Sequence, residues 1–142
     1  MPAVMGSNIP DQGVTSRMLN LTALIASVAT SETTTSTSFT DLATGGPAVT
    51  PTPGVTQNHL ISVSCFTYNN TAGTGRNRMS PAIAGETAVI ANAYGQTGTD
   101  ETVGSAVHLA TSQVSGAVHT SKYKVDAGTG TFSSRKIIGI AV

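Results

Sequence analysis

Charge is scarce in this chain, and aromatic and thiol side chains are scarcer. Lys, Arg, Asp and Glu make up 10% of the 142 residues, seven basic against seven acidic, for a formal net charge of zero. An ordinary globular domain carries about 25% charged residues. So few cations cannot build a phosphate-binding face, which excludes nucleic acid as a partner. Nor can solubility rest on charge repulsion, and this suits a protein that spends its life packed in an assembly. The single cysteine, Cys65, excludes an intramolecular disulfide. It lies in an alternating apolar run and reads as a buried, inert thiol, because a nucleophilic thiol needs a base and an orienting group beside it. No segment approaches the roughly 18 apolar residues of a membrane span. The stretch 18–29 is broken by Asn20 and Thr22 and follows a polar segment with one Arg17, which is not the pattern of a signal peptide.

What is present suits strands. About a quarter of the chain is Ser or Thr, and 15 residues are Gly, a composition that disfavours helices and favours pleated strands and turns. Disorder would require low hydrophobicity with high net charge, whereas 39% of this chain is hydrophobic. The length fits one domain with a short arm. The reading is an arm over residues 1–23 followed by a domain over residues 24–142. The arm holds Pro2, Gly6, Pro10 and Gly13, with Met5, Ile9, Val14, Met18 and Leu19 as its apolar anchors. It is too sparsely apolar to bury itself and is expected to bind a neighbouring subunit through those five residues.

From residue 24 the hydrophobic period is two. The run "TSETTTSTSFTDL" (30–42) is rich in β-branched Thr and reads as strand, turn and strand. "GGP" (45–47) is a turn, and the prolines of "TPTPG" (50–54) confine it to an edge or connection. "HLISVSCFTYNN" (59–70) has large apolar residues on both faces, so it is expected to be central and covered on both sides. Further strands are expected over 76–85, 87–94, 103–112, 116–127 and 131–142, with 95–102 a polar loop. Tyr123 and Val125 share one face, and "DAGTGTF" (126–132) has the glycines of a tight return, which predicts a closing hairpin. The last strand is apolar to its end and is expected to lie in mid-sheet, with Ile61, Val63, Val125, Ile138 and Ile140 buried. About eight strands at this spacing predict an all-β antiparallel sandwich, of jelly-roll type.

No constellation carries catalysis. His59, His108 and His119 lack the spacing and third ligand of a zinc site; His108 and His119, in adjacent predicted strands, read as structural or surface residues. Asp100 and Glu101 read as a solvated loop pair. "RNR" (76–78) is the one basic cluster, either a hydrated surface pair or a partner for an acidic neighbour across a subunit boundary. The two "GTG" stretches lack the strand–loop–helix setting of a phosphate cradle. "NLT" (20–22) and "NNT" (69–71) match glycosylation sequons by chance. The expectation is a non-enzyme without metal or cofactor.

Three segments, "ATSETTTSTSFTDLATGGPAVT", "LISVSCFTYNNTAGTGRNRMS" and "SKYKVDAGTGTFSSRKIIGIAV", together resemble a domain of virion proteins from tailed bacteriophages. The shared features are a Thr-rich opening strand before a glycine-proline turn and a closing "KY-x-V…G-x-G-TF…R-x-I-x-V" segment. The resemblance spans about residues 26–142, and "IPDQGVTSRML" is similar to segments that precede such domains in phage fibres and capsid accessory proteins. It implies a trimeric jelly roll shaped like tumour necrosis factor. It further implies a virion-exterior protein made in the host cytoplasm, most simply a capsid decoration or cement subunit. The arm would then contact the major capsid or connector protein. The alternatives are a collar, neck or tail-fibre component, or a module that binds host glycans; few aromatics weigh against the last.

Overall fold

The β-branched, hydroxyl-rich sequence folds as strands. The computed structural model describes residues 23–51, 56–84, 87–89, 94–97 and 101–142. Its eight strands are β1 (Ala23–Val28), β2 (Glu32–Thr34), β3 (Gln57–Asn69), β4 (Arg76–Ala82), β5 (Tyr94–Thr97), β6 (Thr102–Gln113), β7 (Thr120–Val125) and β8 (Gly130–Ala141). The described residues contain no helix. A five-stranded sheet runs in the order β1-β8-β3-β6, with β2 also paired to β8, and packs on a three-stranded sheet β5-β4-β7. All pairings are antiparallel. Within the Thr-rich opening run Glu32–Thr34 form a short strand and Thr40 an isolated bridge to Tyr123, in place of the two strands expected; β8 lies between β1–β2 and β3, mid-sheet as an apolar segment requires.

The two sheets bury one shared core. Ile61, Val63 and Cys65 of β3, Phe132 and Ile137 of β8, Met79 of β4 and Tyr123 of β7 meet in it. Tyr123 and Phe132 touch edge to face, with ring centroids 5.0 Å apart, a geometry that adds to their area burial. Val125 is also buried.

Four expectations are corrected. First, β7 and β8 are not a hairpin: they belong to different sheets, and residues 126–129 carry the chain across the sandwich. Gly128 takes a positive φ of 73° in that crossing. Second, Ile138 and Ile140 are only partly buried and Ile137 is fully so. The cause is a β-bulge. Opposite Cys65 the register of β3 and β8 shifts by one residue, and Ser134 sits at φ 47°. Past the bulge the inward parity passes from Phe132 to Arg135, Ile137 and Gly139. Third, β3 is central in its sheet but covered on one face, since Phe66 and Tyr68 are exposed. Fourth, residues 95–97 belong to strand β5 (Tyr94–Thr97) where a loop was expected, and 87–89, expected in a strand, are not in one.

Burial of Ile137 rather than Ile138 gives a direct test. Ile137→Ala is expected to cost about 2–5 kcal/mol, the usual range for truncating a core isoleucine. Ile138→Ala should cost less than half as much by denaturant unfolding at high dilution. Equal costs would place the bulge elsewhere.

Candidate functional site

The two outer faces of the sandwich differ in chemistry. On the smaller sheet the cations of β4 and β7 dominate. Arg78 holds Asp126 through three hydrogen bonds of 2.8–3.1 Å. Lys124 reaches the same carboxylate at 3.6 Å, and Lys122 meets Asp41 at 2.6 Å. Arg78 hydrogen bonds, against some desolvation, hold Asp126 below the usual carboxylate range. These are surface pairs that add little stability but keep this face hydrated.

The outer face of the larger sheet is apolar. Register places Ala23, Ile140, Leu60 and Leu109 in one row across four strands, and Ile25, Ile138, Ser62 and Val107 in the next. Ile25 is 64% exposed, Val107 60% and Leu109 49%. A third row holds Ser27, Lys136, Ser64 and Ser105, and Phe66 faces Val103 beyond it. Lys136 is the one charged side chain in these rows. A groove of about 410 Å³ opens here beside the bulge, lined by Ser27, Ser64, Phe66, Val103 and Lys136 among others. Isolated exposed apolar residues are ordinary, but a contiguous apolar band marks an interaction surface.

The interior holds titratable groups of its own. Arg135 is fully buried. It donates to Glu32 at 2.5 Å and to the Thr44 carbonyl at 3.2 Å, and its guanidinium lies 5.4 Å from the Tyr123 ring centroid. Glu32 also accepts from the Thr44 backbone N–H at 2.7 Å. Desolvation raises the Glu32 carboxyl, but its bonds to Thr44 and Arg135 outweigh this and hold it below the usual range. Burial pushes the Cys65 thiol up to about 12, despite the nearby Arg135. His59 and His119 are buried in contact at 2.7 Å.

The arm residues Met5, Ile9, Val14, Met18 and Leu19 lie outside the described residues, as does Asp100. Glu101 is exposed. Within "RNR", Arg78 pairs with Asp126 of its own chain at the surface of the smaller sheet. The histidine close to His119 is His59, sixty residues away, rather than His108; sequence spacing holds no trace of that pairing. Asn69 of the "NNT" sequon is buried and donates to Asn77 at 2.8 Å, so the folded chain does not present it for glycosylation. Among the described residues no three His, Cys, Asp or Glu side chains cluster as metal ligands.

Two measurements check the interior. Thiol reagents should leave Cys65 unmodified in the folded protein at neutral pH and modify it in denaturant. Glu32 contributes stability above its ordinary value of 4.5, and that contribution is lost as pH falls through its lower folded value. Glu32→Gln should therefore lower the melting temperature at neutral pH, with the gap to the native protein closing in acid.

No protein-family model and no curated protein matches the chain. Solved structures do. Eiger TNF from S. frugiperda aligns with a TM-score of 0.51 at 12% identity, over 84% of this chain and 92% of that one. Murine APRIL aligns at 0.49 and 9% identity, over 85% and 100%. The CBM36-1 domain of a xylanase from the hindgut metagenome of Trinervitermes trinervoides aligns at 0.46 and 11%, over 82% and 96%. At these identities the likeness is one of fold, and with the two antiparallel sheets described above it identifies an all-β, tumour necrosis factor-like jelly roll.

Proposed function

We propose that this chain is a non-enzymatic structural subunit that assembles as a homotrimer through the outer face of its larger sheet. The observation that carries this is the apolar band of that face. Of the seven Lys and Arg residues, Arg17 lies outside the described residues, Arg76, Arg78, Lys122 and Lys124 lie on β4 and β7, and Arg135 is buried; among the described residues this leaves Lys136 on the apolar side. A sheet face of this kind loses apolar surface to water when copies pack on it, at about 25 cal/mol per Å². With one cation per copy it meets little repulsion. The number three is taken from the phage virion domain that the Thr-rich opening and the closing segment resemble.

The same resemblance supports the finer reading, a capsid decoration subunit on the exterior of a tailed phage particle. Met5, Ile9, Val14, Met18 and Leu19 of the arm would engage the capsid or connector protein. A carbohydrate-binding role is the second reading, favoured by the exposed rings of Phe66 and Tyr68 on adjacent outward positions of β3, since sugars stack on such rings.

Sedimentation should give a trimer at micromolar concentration, and Val107→Glu should give a folded monomer. A monomeric native protein would refute the assembly. Deleting residues 1–20 should leave the trimer intact but abolish co-sedimentation with particles that lack the protein; full binding by the truncated form would move attachment to the jelly roll. Tight glycan binding that Phe66→Ala removes would favour the second reading.

A further inference from the structure

Two buried imidazoles join the sheets at one end of the sandwich. His59 stands on the inner side of β3, and His119 lies in the isolated bridge to Val49 just before β7. The hydrogen bonds fix their tautomers. The Ala84 backbone N–H donates to His119 Nδ1 at 3.3 Å, so that nitrogen carries no proton. Neutral His119 then holds its proton on Nε2 and donates it to His59 Nδ1 at 2.7 Å. His59 must hold its own proton on Nε2, which has no partner among the described residues.

Each nitrogen with a free lone pair is therefore already accepting a bond. A second proton on His119 would point at the Ala84 N–H. A second proton on His59 would point at the Nε2–H of His119. Either breaks a hydrogen bond and leaves a cation away from water. The surroundings offer no relief. His59 is flanked by Ala110 of β6 and Ala141 of β8, and His119 by Val49. His108 faces the same interior one row away, beside Ile61. Lys122, Lys124 and Lys136 belong to the outer faces, Arg76 and Arg78 to the far end of β4, and the Val142 carboxylate follows β8. Among the described residues none of these forms an ion pair with either ring. Glu86, two residues past Ala84, lies outside the described residues.

We propose that the His59–His119 pair is an acid-released latch. At neutral pH it holds the corner formed by residues 112–119 and the Val49 bridge against β3; protonation of either ring frees that corner. Its near end has further ties to β3, through the Ser112 N–H on Asn58 Oδ1 at 3.1 Å and the Gln57–Gln113 pairing, and Val49 packs in the core, so the part that acid frees is residues 114–119. Ser112 adopts a φ of 53°, and the Val49–His119 bridge consists of two backbone bonds of 3.0 and 2.9 Å. Burial keeps both rings below the ordinary value of 6.5, and the neighbouring His59 helps to bring His119 to about 4. Because the folded values are depressed, the open state binds protons more readily. The latch is intact above about pH 6.5 and weakens as pH falls from there toward about 4, with opening favoured up to about tenfold per pH unit for each ring. This device does not depend on the assembly proposed above.

Amide hydrogen exchange on the native full-length protein, corrected for intrinsic rates, tests it. Between about pH 7 and pH 4 the Val49, Ala84 and His119 amides should lose protection by ten-fold or more, while those of Ile61 and Ile137 keep theirs. Unchanged protection at all three corner amides across that range overturns the proposal, as does uniform loss over the whole sandwich. The His59→Gln/His119→Gln double variant keeps amide donors and acceptors in place without titrating. It should show a flat profile at the corner; the same pH-dependent loss in that variant would assign the effect to other groups. If the variant does not fold, the exchange profile of the native protein decides by itself.

Discussion

The fold turns on a buried guanidinium. Arg135 has its whole side chain inside the sandwich, held by Glu32, the Thr44 carbonyl and the Tyr123 ring. Replacing such a pair by well-packed apolar groups is often neutral, whereas removing one partner strands the other charge. Its effect here is on register. A one-residue slip of β8 would bring Lys136 inside, out of line with Glu32, and turn Ile137 out. The bulge opposite Cys65 is what aims Arg135 inward, so the bulge and the ion pair require each other.

That pair also fastens the opening of the chain to its end. Glu32 belongs to β2, the Thr-rich run, and Arg135 to β8; the loop through Thr44 is held by both. Two further polar contacts, these between the two sheets, lie near the ends of the sandwich. At one, Asn77 of β4 bonds to Thr67 and to the Tyr68 carbonyl, and Asn69 bonds to Asn77 and the Ala127 carbonyl. At the other stand His59 and His119. The asparagine network uses its donors fully and does not titrate. The histidine pair leaves a buried N–H with no partner among the described residues, and its rings are titratable, so the proposed latch would make the two ends answer acid differently.

The proposed assembly rests on where the charge lies. Among the described residues most charged groups lie on or beside the smaller sheet or in the Arg135–Glu32 pair, and the larger sheet's outward face carries mainly Ile, Val, Leu and Ser with Lys136. An isolated subunit exposes that band to water. Association through it would bury the band without burying more than Lys136.

Much of this was legible in the sequence. Period-two alternation, β-branched residues and glycine-proline punctuation specify strands and turns locally, and they gave an all-β sandwich, a strand within the Thr-rich run and the buried Cys65. The mid-sheet position of the last strand followed from its apolar length. The sequence could not place the bulge, because Ser133 and Ser134 carry no signal for it, and so the parity of Ile137 and Ile138 was inverted. It could not separate β7 from β8, since a glycine-rich return serves a hairpin and a crossing between sheets equally. Nor could it pair His59 with His119 or Glu32 with Arg135, which lie 60 and 103 residues apart. Local preferences are written residue by residue, whereas which buried polar groups meet is decided only by the tertiary fold, as β2 pairs with β8 in one sheet and the two sheets close on one another.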